Sequence, residues 1–395
     1  MFNIILLGIT SLLTDISSEM IYPVLPIFLV TTLGASPAIL GLIEGIAESL
    51  ASFLKVFSGY FSDKIRRRKP FAIFGYASST LGKLVLYISS SWSTVLLGRV
   101  VDRFGKGIRT APRDALIADS SLAGKRGAAF GLHRTLDTLG AVIGVILAYF
   151  LITRFKGNLR NIFLFSLIPA FLGVLFLFLV KEKISQTKSS PEKLQFSRLS
   201  VELDAGSRIA GKWRALDKRL KLFLIFTFIF TLGNSSNQFL LLRAKNSGGS
   251  VAQVILFYLV YNLTYLLVTY PVTRLSDKIG RKKLLVLGYF FYGLVYLGFA
   301  VNNSLPMFWL LFGIYGLYSG FTEGVEKALV ADIAPAGMRA TAIGLHATLV
   351  GIGLLPASIL AGFLWKLLGA AAPFYFGGFM GIIASVGLWF ILKEL

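Results

Sequence analysis

The sequence predicts an all-α membrane protein, with twelve transmembrane helices in two pseudo-symmetric six-helix halves. Three observations carry that expectation. The 395 residues are 55% hydrophobic and only 15% charged, with 34 Phe and a mean hydropathy of +0.73, where a soluble domain averages about 25% charged. The chain also divides into some twelve apolar runs near the ~20 residues that a bilayer crossing takes, joined mostly by short links. Finally, one basic loop is written twice, half a chain apart. Ser62-Asp63-Lys64-Ile65 leads into Arg66-Arg67-Arg68-Lys69, and Ser276-Asp277-Lys278-Ile279 leads into Gly280-Arg281-Lys282-Lys283.

The repeat extends beyond that loop. Ala115-Leu116-Ile117-Ala118-Asp119 is answered by Ala328-Leu329-Val330-Ala331-Asp332, and Gly131-Leu132-His133 by Gly344-Leu345-His346, at one and the same offset. Gly124 and Gly337, and Arg126 and Arg339, fall in that register too. Two copies of one membrane unit follow, with a site expected between them at the midplane.

Taken in order, the spans are placed at 3–32, 37–61, 70–91, 93–118, 125–152 and 160–180, then at 220–242, 250–274, 283–301, 305–331, 339–366 and 371–392. The halves are therefore 1–180 and 220–395. Between them, 181–219 reads as a basic cytoplasmic linker. The stretch 181–220 holds ten Lys/Arg against five Asp/Glu, and 201–220 could lie on an anionic leaflet as an amphipathic helix.

The formal charge of +21 would suggest nucleic acid in a soluble protein. Here the basic residues crowd one set of loops, 64–69, 125–126, 181–220 and 274–283, while the opposite loops near 33–36, 89–92 and 302–305 are uncharged. That asymmetry orients the chain with both termini in the cytoplasm of a cell (inner) membrane. Arg154, Lys156, Arg160, Arg243 and Lys245 are the exceptions. No nucleic acid partner is expected. With no cysteine, thiol chemistry and disulfides are excluded. The sequence has no His-Glu-x-x-His, serine elbow or phosphate loop; we expect no enzyme, no cofactor and no metal. The N-terminal apolar run lacks a basic n-region and a cleavage signal, and reads as the first span.

A charge at bilayer depth costs at least about 2.5–3.5 kcal/mol and must face protein or a water-filled cavity. The sixth, ninth and twelfth runs carry none and the third only Lys83. The first span holds Asp15 and Glu19, four apart and on one face, ahead of Pro23 and Pro26, which should bend the helix. The second holds Glu44 and Glu48, then Lys55. The fourth is the extreme, with Arg99, Asp102, Arg103, Lys106, Arg109, Arg113 and Asp114. Its basic members recur every three or four residues and make one stripe. The fifth adds His133, Arg134 and Asp137. Asp15, Glu19, Glu44, Glu48 and Asp137 are candidates for proton exchange, since a carboxylate in a poorly solvated cavity changes affinity for protons with the distance to a guanidinium. The basic candidates are Arg99, Arg103, Lys106, Arg109, Arg113 and Arg134. Internal salt bridges that only lock the half together are the competing reading, favoured for Asp102, Asp114, Arg109 and Arg113. For His133 and His346, equivalence in the repeat favours a shared structural role.

The second half is built from neutral groups. Asn234, Asn237 and Gln238 lie in the seventh span, Tyr258, Tyr261 and Asn262 in the eighth, and Tyr315, Tyr318 and Glu323 in the tenth. Amides and tyrosines grip a small organic body by hydrogen bonds and ring faces. A division of labour is expected, with the first half coupling to ions and the second reading the substrate. Glu323 and Lys327, four apart, can pair on their own helix.

The repeated loop resembles the signature of the major facilitator superfamily, Gly-x-x-x-Asp-(Arg/Lys)-x-Gly-Arg-(Arg/Lys). The second copy has Asp277, Gly280 and Arg281 in place; the first has Gly59, Asp63 and Arg67 but sets Arg66 where the family has glycine. The resemblance implies the superfamily's twelve-helix fold, with the third helix of each triplet outermost, and gating of the cytoplasmic face by these two loops. Span four resembles the family's basic motif, with Arg99 ahead of Gly105, Gly107 and Pro112, or Arg103 in the other register. Asp102 stands near the usual glutamine. The antiporter motif of span five is incomplete: Gly140 and Gly144 are present, but Val145 replaces proline, and close helix packing explains that glycine pair equally well. The resemblance implies a monomeric secondary carrier working by alternating access. We expect proton-coupled efflux of a small organic compound, as an antiporter. Uptake or exchange of an anionic metabolite or metal complex is the alternative, and a non-transporting sensor or scaffold the rival from another class.

Overall fold

The computed structural model describes residues 2–65, 67–121, 126–182, 218–334 and 339–391; most of the expected linker lies outside them. The first half comprises α1 (Phe2–Ile21), α2 (Leu25–Ile27) with a π turn (Phe28–Thr32), α3 (Pro37–Ile65), α4 (Lys69–Ile88), α5 (Trp92–Ser120), α6 (Arg126–Arg154) and α7 (Leu159–Phe178). The second comprises α8 (Lys218–Gly233), α9 (Gln238–Asn246), α10 (Val251–Ile279), α11 (Arg281–Val301), α12 (Leu305–Ile333), α13 (Arg339–Leu368) and α14 (Ala372–Ile391). Twelve spans result, because α1 with α2 and the π turn makes one crossing and α8 with α9 another.

Nine helical stretches among the described residues are long and apolar enough to cross a membrane. The spans that miss that standard are α3, α5 and α8–α9, two of them charged and one broken. Their polarity is tolerable only because it faces inward. Apolar side chains run exposed down α7 (Leu164, Ile168, Phe171, Leu175) and α14 (Phe379, Ile383, Val386, Trp389), as a lipid-facing surface requires.

Two corrections concern continuity. The first span is not one bent helix over 3–32: it stops at Ile21 and resumes through α2 and the π turn, because Pro23 and Pro26 remove ladder donors. The seventh is not continuous over 220–242. It breaks at 234–237, where no proline stands; Asn234, Ser235, Ser236 and Asn237 compete with the helix for backbone groups. In the register of the repeat Tyr22 falls on Ser235, so both halves break their first span at the same depth.

The ends of the molecule differ. At the neutral-loop end α3 and α13 touch backbone to backbone: a Cβ on Gly41 would lie 2.1 Å from the Ser358 carbonyl oxygen, and one on Gly362 2.6 Å from that of Pro37. The contact continues through the Ser49 hydroxyl, which donates to the Gly351 carbonyl at 2.8 Å. Beyond it Phe53, Phe57 and Phe61 of α3 are exposed. Gly131 and Gly344, equivalent in the repeat, have nothing within 4 Å of a built Cβ. The halves thus close at the neutral-loop end and part toward the basic-loop end. Two of the basic exceptions at the neutral end, Arg160 and Arg243, are helix caps. Arg160 donates to the Tyr87 and Ser89 carbonyls at 3.1 and 2.7 Å, and Arg243 to those of Phe299, Ala300 and Asn302 at 2.9–3.1 Å. They satisfy the orphan carbonyls of α4 and α11, which end at equivalent positions of the repeat.

Candidate functional site

A cavity of about 330 Å³ opens between the halves at mid-depth. Its first-half wall carries Asp15, Glu19 and Tyr22 of the first span, Glu48 of α3, Lys83 of α4, and Arg99, Asp102, Arg103, Lys106 and Arg109 of α5. The second-half wall is Asn234 to Asn237 at the α8–α9 break, Tyr258 of α10 and Leu354 of α13. The helix breaks matter here, because they turn unwound, polar backbone toward the cavity.

The α5 stripe and the α3 carboxylates make one ion network. Arg99 is bonded to Glu44 at 2.9 Å through Nε and lies 2.6 Å from it through Nη2. Arg103 lies 3.1 Å from Glu48, and Asp102 sits 3.6 and 3.8 Å from Arg99 and Arg103. Glu44 is fully buried; its second oxygen accepts from the Ser236 hydroxyl at 3.2 Å, across the interface between halves. The α5 helix can hold such a row because α4 backs it closely: a Cβ on Gly75 or Gly82 would lie 2.7 and 2.5 Å from α5 atoms.

Other groups of the cavity lack such partners. Among the described residues, no Lys or Arg lies within 4 Å of the Asp15 or Glu19 carboxylate, and no carboxylate within 4 Å of Lys83 or Lys106. Glu19 accepts from the Tyr258 hydroxyl at 2.8 Å, and Tyr22 stacks on Tyr258 with ring centroids 5.4 Å apart. Lys83, 1% exposed, donates to the Thr14 carbonyl at 3.4 Å, its only hydrogen-bond partner among the described residues. It is the lone charge of the third span, and that isolation was its sequence signal. Its position shows that α4 contributes to the cavity as well as to the outer surface.

Asp137 and Arg113 lie nearer the basic-loop end, outside the cavity wall. Asp137 accepts from Ser11 and lies 3.9 Å from His133, while Arg113 is paired with Asp114 at 2.9 Å and donates to Ser11 at 3.2 Å. Arg109 packs over the Tyr76 ring at 4.4 Å. Arg134 donates to the Tyr265 hydroxyl at 2.7 Å, bridging α6 and α10. In the second half Gln238 is fully buried behind the wall, its carboxamide without a hydrogen-bond partner among the described residues. Tyr315 donates to Asn237 at 2.7 Å, Asn234 to the Tyr318 hydroxyl at 3.4 Å and Asn262 to the Tyr258 carbonyl at 3.0 Å. These residues buttress the wall, and Tyr258, Tyr261 and Tyr265 stack in series along α10 at 5.6 and 6.4 Å. The Glu323 side chain lies outside the described residues.

At the repeated loops the side chains of Asp63 and Asp277 are likewise outside the described residues. Gly59 faces Ala111, 3.3 Å from a built Cβ, and Arg67 is exposed. Gly280 has φ +97°, a conformation open to glycine. Arg281 pairs with Asp332, and Arg68 with Asp119 in the same register. Gly140 and Gly144 serve packing: a Cβ there would lie 2.4 and 2.5 Å from the Leu12 and Ile16 carbonyl oxygens of α1.

Known proteins share this architecture. An uncharacterized MFS-type transporter of Methanocaldococcus jannaschii is 40% identical over 395 residues, covering 98% of this chain and 94% of that one. Multidrug resistance protein MdtH of Proteus mirabilis is 24% identical over 336 residues, 82% of this chain and 77% of that one. Among solved structures, the nucleoside transporter NupG superposes with a TM-score of 0.80 at 15% identity over 100% of both chains. A D-xylose-proton symporter gives 0.74 at 17% identity, over 98% of this chain and 97% of that one. The sequence matches the profile of the Major Facilitator Superfamily over residues 7–244 and 222–394. The chain belongs to the Major Facilitator Superfamily of membrane transporters.

Proposed function

We propose that this transporter works by alternating access as a monomer, and that protons exchanged at Asp15 and Glu19 drive efflux of a small organic compound. The halves 1–180 and 220–395 are the rocking bodies and 181–219 tethers them. One observation carries the reading: of the cavity carboxylates, Glu48 and Asp102 are held by α5 guanidiniums, whereas Asp15 and Glu19 have no such partner. A guanidinium-held carboxylate stays ionised as the carrier rocks. One without a counter-charge is free to take up or lose a proton when solvent access changes.

The basic-loop end belongs in the cytoplasm by the positive-inside rule, so both termini are cytoplasmic and the cavity opens inward in a cell (inner) membrane. Asp63 and Asp277 belong to that gating face. The multidrug resistance relatives favour efflux. The second reading, uptake or exchange of an anionic metabolite or metal complex, is favoured by Lys83 and Lys106, which have no carboxylate within 4 Å among the described residues.

The two readings differ in sign. A cation competes with protons for Asp15 and Glu19, giving antiport. An anion at Lys83 and Lys106 binds better once those carboxylates are protonated, giving symport. The test is proton movement in proteoliposomes challenged with cationic drugs, organic acids and sugars. Protons moving against a cationic or neutral compound, abolished by Asp15→Asn or Glu19→Gln, support the proposal. Protons moving with anions, abolished by Lys106→Gln, overturn it in favour of the second reading. No proton movement with any compound overturns both.

A further inference from the structure

The register that pairs His133 with His346 also pairs Tyr76 with Tyr289 and Arg113 with Glu326. The tyrosines and histidines are retained and buried in both halves. The third member is reversed in charge. The two histidines therefore share a position in the repeat but not their surroundings.

In the second half the Tyr289 hydroxyl donates to Glu326 Oε1 at 2.9 Å, and His346 Nε2 lies 3.5 Å from Glu326 Oε2. Both partners are fixed by ring contacts. Tyr289 stacks on Phe230 at 3.8 Å, and His346 lies parallel to Phe223 at 6.1 Å. Glu326 is seven residues from the end of α12 and His346 seven from the start of α13, about 10 Å in from the basic-loop end at 1.5 Å per residue. Glu326 is 16% exposed, so the site communicates with solvent. None of the three lines the central cavity.

Among the described residues no Lys or Arg lies within 4 Å of Glu326. The titratable groups facing it are Tyr289 from α11, His346 from α13 and Tyr318 from its own helix; α8 presents Phe223, Thr227 and Phe230, none of which titrates. Glu323 and Lys327, also on α12, have side chains outside the described residues. A carboxylate at this depth without a guanidinium is costly unless a proton neutralises it. We infer that Glu326, His346 and Tyr289 form a proton-binding site of the second half, separate from Asp15 and Glu19. With the proton bound, the imidazolium and carboxylate form a neutral pair. On release the proton passes to water at the basic-loop side, and the carboxylate keeps the Tyr289 hydrogen bond.

The chain has only two histidines, so ¹⁵N-histidine NMR of the protein in lipid nanodiscs reads the site directly, with His133→Gln providing assignment. The His346 signal is expected to respond to pH, because a carboxylate lies beside its imidazole. In Glu326→Gln its midpoint should move by about one pH unit or more, a roughly tenfold change in proton affinity, while that of His133 stays. Asp15→Asn and Glu19→Gln should leave it in place, which separates failure of this site from failure of the central-cavity proposal. A His346 signal indifferent to pH, or an unmoved midpoint in Glu326→Gln, overturns the inference. If Glu326→Gln does not fold, Tyr289→Phe keeps the carboxylate and removes its hydroxyl donor; an unmoved midpoint there counts equally against the site.

Discussion

The two halves repeat one backbone and diverge in what they set around the cavity. The first supplies nine charged side chains to the wall; the second supplies amides, serines and a tyrosine. What they share is where chain geometry is demanded: the break in the first span, the cap on the third, the Arg–Asp pair at the repeated loop. Symmetry therefore governs the shared backbone elements, and chemistry is free to differ where the halves face the cavity. The contrast yields a ranking of effects that mutation can break or sharpen.

The largest effect is expected in the buried network of the first half. Arg99→Leu leaves Glu44 buried and unpaired and should cost about 3–5 kcal/mol, with Glu44→Leu/Arg99→Leu recovering most of it. Tyr292→Phe in the second half removes one neutral bond to the Gly233 carbonyl, 2.8 Å long, and should cost about 1 kcal/mol. Denaturation midpoints in detergent decide this; equal costs would dissolve the contrast. Next is Gly41→Val, whose side chain cannot fit against the Ser358 carbonyl with the neutral ends closed. Overpacking of about 1–3 kcal/mol should open that end roughly tenfold, read as faster amide exchange across 355–362. Tyr258→Phe, which strips Glu19 of its hydrogen bond, should shift stability by about 0.5–1.5 kcal/mol. Smallest, and equal between halves, are Arg68→Ala and Arg281→Ala, each breaking a partly exposed ion pair worth at most about 1 kcal/mol. A marked inequality in urea or thermal melts would show that the two loops are not equivalent.

Much of this was legible in the sequence. The doubled loop and the constant offset of the repeat required two halves, and the cost of burying Asp15, Glu19 and the α5 row required an inward cavity. The α8–α9 break was not legible, because Asn and Ser weaken a helix only when neighbours offer their backbone groups something better. Nor was the selection among charges. Spacing places Arg103 and Arg113 on one stripe, but helix packing sends the first into the cavity and the second to Ser11 and Asp114. The partners of Glu326 were not legible for a related reason, since they come from α11 and α13.

The central claim is that protonation of Asp15 and Glu19 sets which end is open. The chain lacks cysteine, so spin labels at Ser90→Cys and Ser304→Cys, in equivalent neutral-end loops, report the distance between halves by pulsed electron resonance without any substrate. The account predicts a distance distribution that changes between acid and alkaline pH, and one that no longer responds to pH in Asp15→Asn/Glu19→Gln. A distance indifferent to pH in the parent protein, or a pH response that survives the double substitution, would contradict it.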